Sequence, residues 1–435
     1  MSYAPILAEP KLNNTLSRNS ESSGPSIKTA SPRRRQNVLP PNGVDRQGAK
    51  SLSFIVHSHL SWDWVWQRPQ QFISRLSGKH KVLFVETAAP DPELAAPMAR
   101  FHVPEQFPNL TVLRLQFPAW RWGDGDYVDA ERRRLVQEFL RGPAAGQFDH
   151  PVQWFYDPMA APAFLGQLDE RLVVYDCMDE LSKFRGAPPE IVEREASLLQ
   201  QADVVFTGGY KLFESKRRHN SNCHFYGCGV DSAHFGQARS AETVVPGLLA
   251  GLPRPVLGFF GVVDERMDYE LLARLAAAQP DWSLAIIGPV LKVEAATLPK
   301  RPNLHWLGPQ SYSDLPAFCK GFDVCLMPFA SNESTEFINP TKTLEYMATG
   351  RPIVSSAVPD VVRNFGSVAS IAESSDQFIA LCRQAIANPN TSAVQRGLNM
   401  ARENSWEAIL ARMEGHIADA LLQKRSVHYV ERRGV

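Results

Sequence analysis

The chain has 435 residues, 44% of them hydrophobic, and its 46 Lys and Arg balance 46 Asp and Glu to a formal charge of zero. That length can bury two ordinary domain cores, and the absence of a basic excess argues against nucleic acid as a partner. No run of about 18 apolar residues occurs and the first residues lack a continuous apolar stretch, so neither a membrane span nor a secretory leader is expected and the cytoplasm is the default location.

Residues 1–50 are dominated by Ser, Pro, Asn and Arg with Tyr3 as the only aromatic, a composition that predicts disorder. The arginine run 33–35 is read as part of a solvated tail that could touch anionic lipid at the inner membrane surface. From Ser51 apolar strands alternate with helices: SLSFIVH, a helix over roughly 67–77, KVLFVE, TVLRLQF, a charged helix near 127–141, PVQWFY and RLVVYD. A helix near 189–201, DVVFTG, a helix near 209–218 and NCHFYG follow. Strands apolar throughout predict a parallel sheet covered on both faces by helices.

The segment AETVVPGLLAGLPRP, 241–255, has the proline and glycine density of a hinge. The alternation then restarts with PVLGFFG, WSLAIIG, NLHWLG, DVCLMPF, RPIVSS and GSVASI, giving a second α/β domain over about 253–405. Two doubly wound domains leave ligands to bind at the carboxyl ends of their strands, in a cleft. The six cysteines form no CxxC pair and lie in strand-like contexts, so buried thiols are expected rather than disulfides or zinc.

Chemistry concentrates in three places. SWDWVWQRPQQFISRL, 61–76, sets Trp62, Trp64, Trp66 and Asp63 before a helix opened by Gln67, Arg68 and Pro69. Rings at such a turn stack on sugar faces and Arg68 can hold an anion bidentately, the alternative being that the tryptophans simply pack. Asp157, Asp176 and Asp179 each follow a strand; Asp157 is the first candidate for a general base and Asp179 the second, with helix capping as the competing role. His57 and His59 end the first strand without a third metal ligand. In NESTEFINPTKTLEYMATGRPIVS, 332–355, Asn339, Pro340 and Thr341 open a helix whose free N–H groups and Lys342 suit a phosphate. Glu345 on the first turn can accept from a sugar hydroxyl, and Gly350 ends the helix in the left-handed conformation.

This last segment resembles the nucleotide-sugar signature of GT-B glycosyltransferases, which implies that Glu345 meets the ribose and that the preceding loop meets the donor sugar and diphosphate. The family's earlier glutamate falls at Phe337 here, with Glu336 one residue off register. FFGVVDERMDYELL, 259–272, resembles the glycine turn that opens the second GT-B domain at Gly261. Val262 stands where an arginine is usual, so Arg266 is the candidate for the diphosphate, the alternative being a solvated helix-start residue paired with Asp264 or Asp268. LHWLGPQSYSDLPAF, 304–318, resembles the turn that holds the base near Gln310, and YGCGVDSAHF, 226–235, the segment that leads out of the first domain. WQRPQ, YDPMA and YDCMDELSKFRG resemble a bacterial subgroup of envelope and exopolysaccharide transferases of teichuronic-acid type, which places acceptor contacts at Trp66, Gln67 and Arg68. The resemblance runs from residue 54 to about 420.

It implies two Rossmann-like doubly wound domains, at 51–240 and 253–404, facing across a cleft, with a helix at 405–423 crossing back to the first. The implied activity is transfer of a hexose from a nucleotide diphosphate sugar to a glycan or lipid-linked acceptor. No DxD-type metal motif sits in a suitable loop and a helix-end phosphate site makes a divalent cation unnecessary, so no cofactor is expected. A nucleotide-sugar epimerase and a non-catalytic scaffold of the same fold remain as alternatives. The C-terminal segment 405–422 has apolar residues at helical spacing at Trp406, Ile409, Leu410, Met413, Ile417 and Leu421.

Overall fold

The computed structural model describes residues 52–433 apart from Val65, Arg185, 331–334 and 336–340, with side chains as far as Ser426. The chain divides into two compact units: the chain up to Asp176 with Glu180–Val205 and Ala420 onward, and Cys177–Asp179 with Phe206–Asp419.

The first sheet has eight strands: β1 Ser53–Ser58, β2 Lys81–Thr87, β3 Met98–His102, β4 Leu110–Gln116, β5 Val152–Phe155, β6 Leu172–Cys177, β7 Val204–Thr207 and β8 Cys223–Phe225. Their order is β3-β4-β2-β1-β5-β6-β7-β8. β1 pairs in parallel with β2 and β5, and β2 with β4, in register Val56 to Phe84 and Val56 to Trp154. These strands are buried on both faces, which is why they read as continuous apolar runs. The sheet departs from an all-parallel arrangement at its edge, where β3 runs antiparallel to β4. MARFH leaves Arg100 and His102 exposed, so it carries no continuous apolar run to mark it.

The second sheet has six strands, β9 Val256–Phe260, β10 Ser283–Ile287, β11 Leu304–Trp306, β12 Val324–Met327, β13 Ile353–Ser356 and β14 Ser370–Ala372. Neighbouring strands pair in parallel and the order is β11-β10-β9-β12-β13-β14. The winding reverses between β9 and β12, and in open sheets of this order ligands bind outside the carboxyl ends of the strands at that reversal. Its core is one contiguous cluster that includes Phe259, Leu272, Ile286, Phe322, Leu326, Tyr346 and Val354.

The expected hinge 241–255 is anchored to the second unit rather than loose. Leu249 is only 2% exposed, and the Lys320 ammonium donates to the carbonyls of Ser240, Ala241 and Thr243 at 2.7, 3.3 and 2.7 Å. The C-terminal helix, Trp406–Arg433, runs well beyond the expected 422, because QKRSVHYVERR lacks Gly and Pro. Trp406, Ile409, Leu410, Met413, Ile417 and Ala420 are its buried face. None of the helices among the described residues is long and apolar enough to cross a membrane.

Candidate nucleotide-sugar site

The site begins with two glycines at strand ends. β9 stops at Phe260, and the Gly261 N–H donates to Ile287 O at 2.8 Å with φ at +143°, a conformation costly for any residue with a Cβ. Gly288 follows β10 with φ +146°, and its N–H donates to Gly308 O at 2.9 Å. A Cβ on Gly288 would lie 1.8 Å from Gly261 O, so the two turns nest backbone against backbone. A Cβ on Gly261 would lie 2.0 Å from Lys342 Cε and 2.6 Å from its Nζ, so the lysine side chain lies directly across the bare glycine. Its ammonium stands 5.8 Å from the Phe259 ring centre.

Lys342 is the first residue of the helix Lys342–Thr349, preceded by Thr341. Leu344, Tyr346, Met347 and Ala348 are buried, and the Tyr346 hydroxyl accepts from the Phe260 N–H at 3.1 Å, which ties the helix to β9 beside Gly261. Gly350 stops the helix at φ +74°. The helix therefore buries one face and leaves Lys342 and Glu345 half-buried on the other. Burial pushes Glu345 up to about 7, the Lys342 charge opposing it, and burial pulls the Lys342 ammonium below its ordinary value. Lys342 and Glu345 form no side-chain hydrogen bond or ion pair with any described residue. Two ionisable groups held in this way beside bare backbone suit a ligand carrying both a phosphate and a hydroxyl.

Arg266 lies in the loop after Gly261, where its side chain forks onto Asp264: Nε sits 2.9 and 3.1 Å from the two carboxylate oxygens and Nη2 2.6 Å from Oδ2. Asp268 takes no part in this pair, because its carboxylate caps the helix Tyr269–Ala278 through the Leu271 N–H at 2.8 Å. Gln310 is half-buried and donates to Leu307 O at 3.1 Å, closing the turn at Gly308. Asn339, Pro340, Phe337 and Glu336 lie outside the described residues.

In the first unit the residues sort differently from expectation. Arg68 is not an open anion hook: it is 4% exposed and grips the fully buried Asp176, with Nε 2.9 and 3.1 Å from the carboxylate oxygens. A buried guanidinium released from such a carboxylate would be left uncompensated, so Arg68 holds the turn onto β6. Gln67 caps the helix Arg68–Leu76, its N–H donating to Gln70 Oε1 at 3.1 Å. Of the tryptophans, Trp62 is buried and Trp66 is 45% exposed, lying 5.9 Å from Trp62 and 6.0 Å from Phe107. The exposed Asp63 carboxylate beside this turn lies 3.5 Å from the Arg114 guanidinium and 3.9 Å from the His102 ring.

Asp157 is 6% exposed and its carboxylate accepts from the Met159 N–H at 2.9 Å, so it is a cap whatever else it does. Asp179 is half-buried just after β6, with the Cys177 thiol donating to its carbonyl at 3.5 Å. His57 is stacked between Phe155 and Phe164 and bonded to Gln153 at 2.8 Å; burial pulls it down to about 3, which makes it a neutral core residue. No disulfide joins any of the six cysteines, and five of them are buried. Sequence reading passed over Gly288, which shares the strand-end position of Gly261 in WSLAIIG, a usable signal. Of the two carboxylates that the sequence offers to Arg266, the fork selects Asp264.

Residues 254–388, which contain Gly261, Arg266, Lys342 and Glu345, match the family described as glycosyl transferases group 1. Over 310 residues the chain is 24% identical to TuaH of Bacillus subtilis (strain 168), named as a glycosyltransferase of teichuronic acid biosynthesis; the match covers 66% of this chain and 77% of that protein. Among solved structures it resembles sucrose-phosphate synthase from Thermosynechococcus elongatus, with 14% identity and a TM-score of 0.59 over 86% of this chain and 99% of the other. It also resembles Alr3699/HepE of Anabaena in complex with UDP, with 12% identity and a TM-score of 0.60 over 85% and 100%. The trehalose-phosphate synthase of Burkholderia xenovorans gives 12% identity and a TM-score of 0.61 over 85% and 99%. The fold is GT-B, residues 254–388 carry a glycosyl transferases group 1 domain, and the protein is a glycosyltransferase.

Proposed function

We propose that the second unit binds a nucleotide diphosphate sugar, with Lys342 and Arg266 on the diphosphate, Glu345 on the ribose and the turn at Gln310 beside the base. The observation that carries this reading is the Lys342 side chain lying across Gly261, its Nζ 2.6 Å from where a Cβ on that glycine would lie, with the half-buried Glu345 one turn along the same helix. An ammonium over bare backbone at a strand end is a polyanion receptor, and a carboxylate beside it accepts from vicinal hydroxyls. Structural neighbours solved with UDP, and with UDP and glucose, support a uridine nucleotide as the first to test.

The acceptor on this reading is a glycan or lipid-linked sugar in polysaccharide synthesis, a class supported by the name of the Bacillus relative. Trp66, on its floor of Trp62 and Phe107, is the surface on which an acceptor ring would stack. Asp157 and then Asp179 are the candidates for deprotonating its hydroxyl in an inverting reaction. The cytoplasmic face of the membrane is the place where such an acceptor would be met. The experiment is a thermal-shift and calorimetric screen of UDP-, GDP-, ADP- and dTDP-sugars, followed by detection of transfer to candidate acceptors. A ligand at about 100 times its dissociation constant adds about 2.7 kcal/mol to stability, which a melting curve registers. Absence of binding across the panel would refute the donor site.

A further inference from the structure

Arg266 would be a poor phosphate ligand if it were free. Its long side chain leaves a loop, and ordering it at the moment of binding costs side-chain entropy. The structure removes that freedom. Asp264 is 3% exposed, and its two carboxylate oxygens engage Nε and Nη2 of Arg266 along one edge of the guanidinium. Nη1 on the far edge has no partner among the described residues, and the side chain is 37% exposed, so the edge turned away from Asp264 is presented outward.

The carboxylate is itself fixed. Its Oδ1 also accepts from the Arg266 N–H at 3.1 Å, and the Asp264 carbonyl accepts from the Tyr269 hydroxyl at 2.8 Å. Farther along the loop the Ala330 N–H donates to Arg266 O and the Asp268 N–H donates to Pro328 O, each at 2.9 Å, so the backbone under Arg266 is stitched to the segment after β12. The loop thus has a rigid base, and among the described residues Asp264 is the one side chain that grips the guanidinium. Arg266 and Lys342 sense each other: the guanidinium charge helps to hold the Lys342 ammonium below its ordinary value, and the Asp264 charge opposes this. Two cations that act on each other in this way repel unless a polyanion or a fixed counter-charge offsets them.

We propose that Asp264 is a positioning residue for donor binding: it orders Arg266 in advance with its outward edge towards the phosphates held at Lys342, in place of the arginine absent at Val262. This rests on the donor site proposed above. A nucleoside diphosphate then meets a guanidinium already immobilised, and Asp264 itself touches no substrate.

The test is a double-mutant cycle with Asp264→Asn, Arg266→Gln and the double variant, titrated by calorimetry with the nucleoside diphosphate and the monophosphate of the base the wild type prefers, with melting temperatures alongside. Asp264→Asn keeps the shape and removes the charge that grips Arg266. We expect it to weaken the diphosphate by about tenfold, the size of one charge-assisted hydrogen bond, and to change the monophosphate much less. In the Arg266→Gln background the same change should have little further effect, since the two act as one unit. In turnover the loss should fall on the donor KM with kcat little changed. Wild-type affinity for the diphosphate in Asp264→Asn would overturn the proposal, as would an undiminished loss in the Arg266→Gln background, which would mark a purely structural carboxylate. If the wild type binds none of the nucleoside diphosphates, the donor site itself is refuted and this inference falls with it.

Discussion

The side chain of Lys342 occupies the space that a Cβ on Gly261 would need, with Cε at 2.0 Å and Nζ at 2.6 Å from that position. A helix-starting lysine and a strand-end glycine, far apart in the chain, therefore make one surface, and either can be changed alone to test it. Gly261→Ala should displace the lysine and strain a backbone at φ +143°, costing about 1–3 kcal/mol of stability. Donor affinity should fall together with the melting temperature. An alanine variant that binds and melts like the wild type would show that the contact has no consequence.

Lys342→Ala should remove charge at the phosphates and leave the fold intact, since the side chain is bonded to no described residue. A charge-assisted contact contributes about 1.5–3 kcal/mol, so a ten- to hundredfold loss of nucleotide-sugar affinity is expected by calorimetry. Unchanged affinity would remove Lys342 from the site.

Glu345 makes donor binding depend on pH near neutrality. Its carboxyl is raised to about 7 against an ordinary 4.5, so between those values the folded protein holds a proton that the unfolded chain has released. Stability contributed by this group is therefore full below about 4.5 and declines as pH rises to about 7. Ribose hydroxyls prefer the ionised carboxylate as acceptor, so affinity for a nucleotide sugar, whose diphosphate diester does not titrate here, should rise as pH passes upward through about 7. Glu345→Gln should bind more weakly and flatten both profiles. A persistent pH dependence in that variant would point to another group.

Asp157 can be tested against its own cap. Asparagine caps about as well as aspartate, so Asp157→Asn should preserve the bond to the Met159 N–H and the melting temperature. If the carboxylate also deprotonates the acceptor, transfer should fall by about 10²–10⁴ with donor binding kept. Transfer within threefold of the wild type would pass the role to Asp179 or indicate a retaining reaction.

Truncation after residue 404 should lower the melting temperature and expose apolar surface. Trp406, Ile409, Leu410, Met413, Ile417 and Ala420 are buried, and a Cβ on Gly229 would lie 2.6 Å from the Trp406 ring. Loss of several such side chains, each contributing about 1.5–3 kcal/mol, should appear as dye binding and aggregation. A soluble truncation with an unchanged melting temperature would contradict this packing.

What is local in the chain was readable from it. β1, β2 and β5 are apolar at nearly every position because a parallel strand is covered on both faces, and the six runs from PVLGFFG to GSVASI became the six strands of the second sheet. Gly350 announced a helix stop by lacking a Cβ, and the spacing of Lys342 and Glu345 put them on adjacent turns of one helix. Partnership across the fold was not readable. Arg68 looks like an exposed anion hook in WQRPQ, but it meets Asp176 on β6, which is 108 residues away in the chain and separated from β1 in the sheet by β5. β3 is hidden in the sequence because an antiparallel edge strand with one solvated face has no continuous apolar run. The proline- and glycine-rich segment 241–255 looks loose until Lys320 is seen gripping three carbonyls near its start. Periodicity reports which face of an element is buried; which residue meets a charge there depends on contacts between elements that are distant in the chain, and those only the tertiary structure decides.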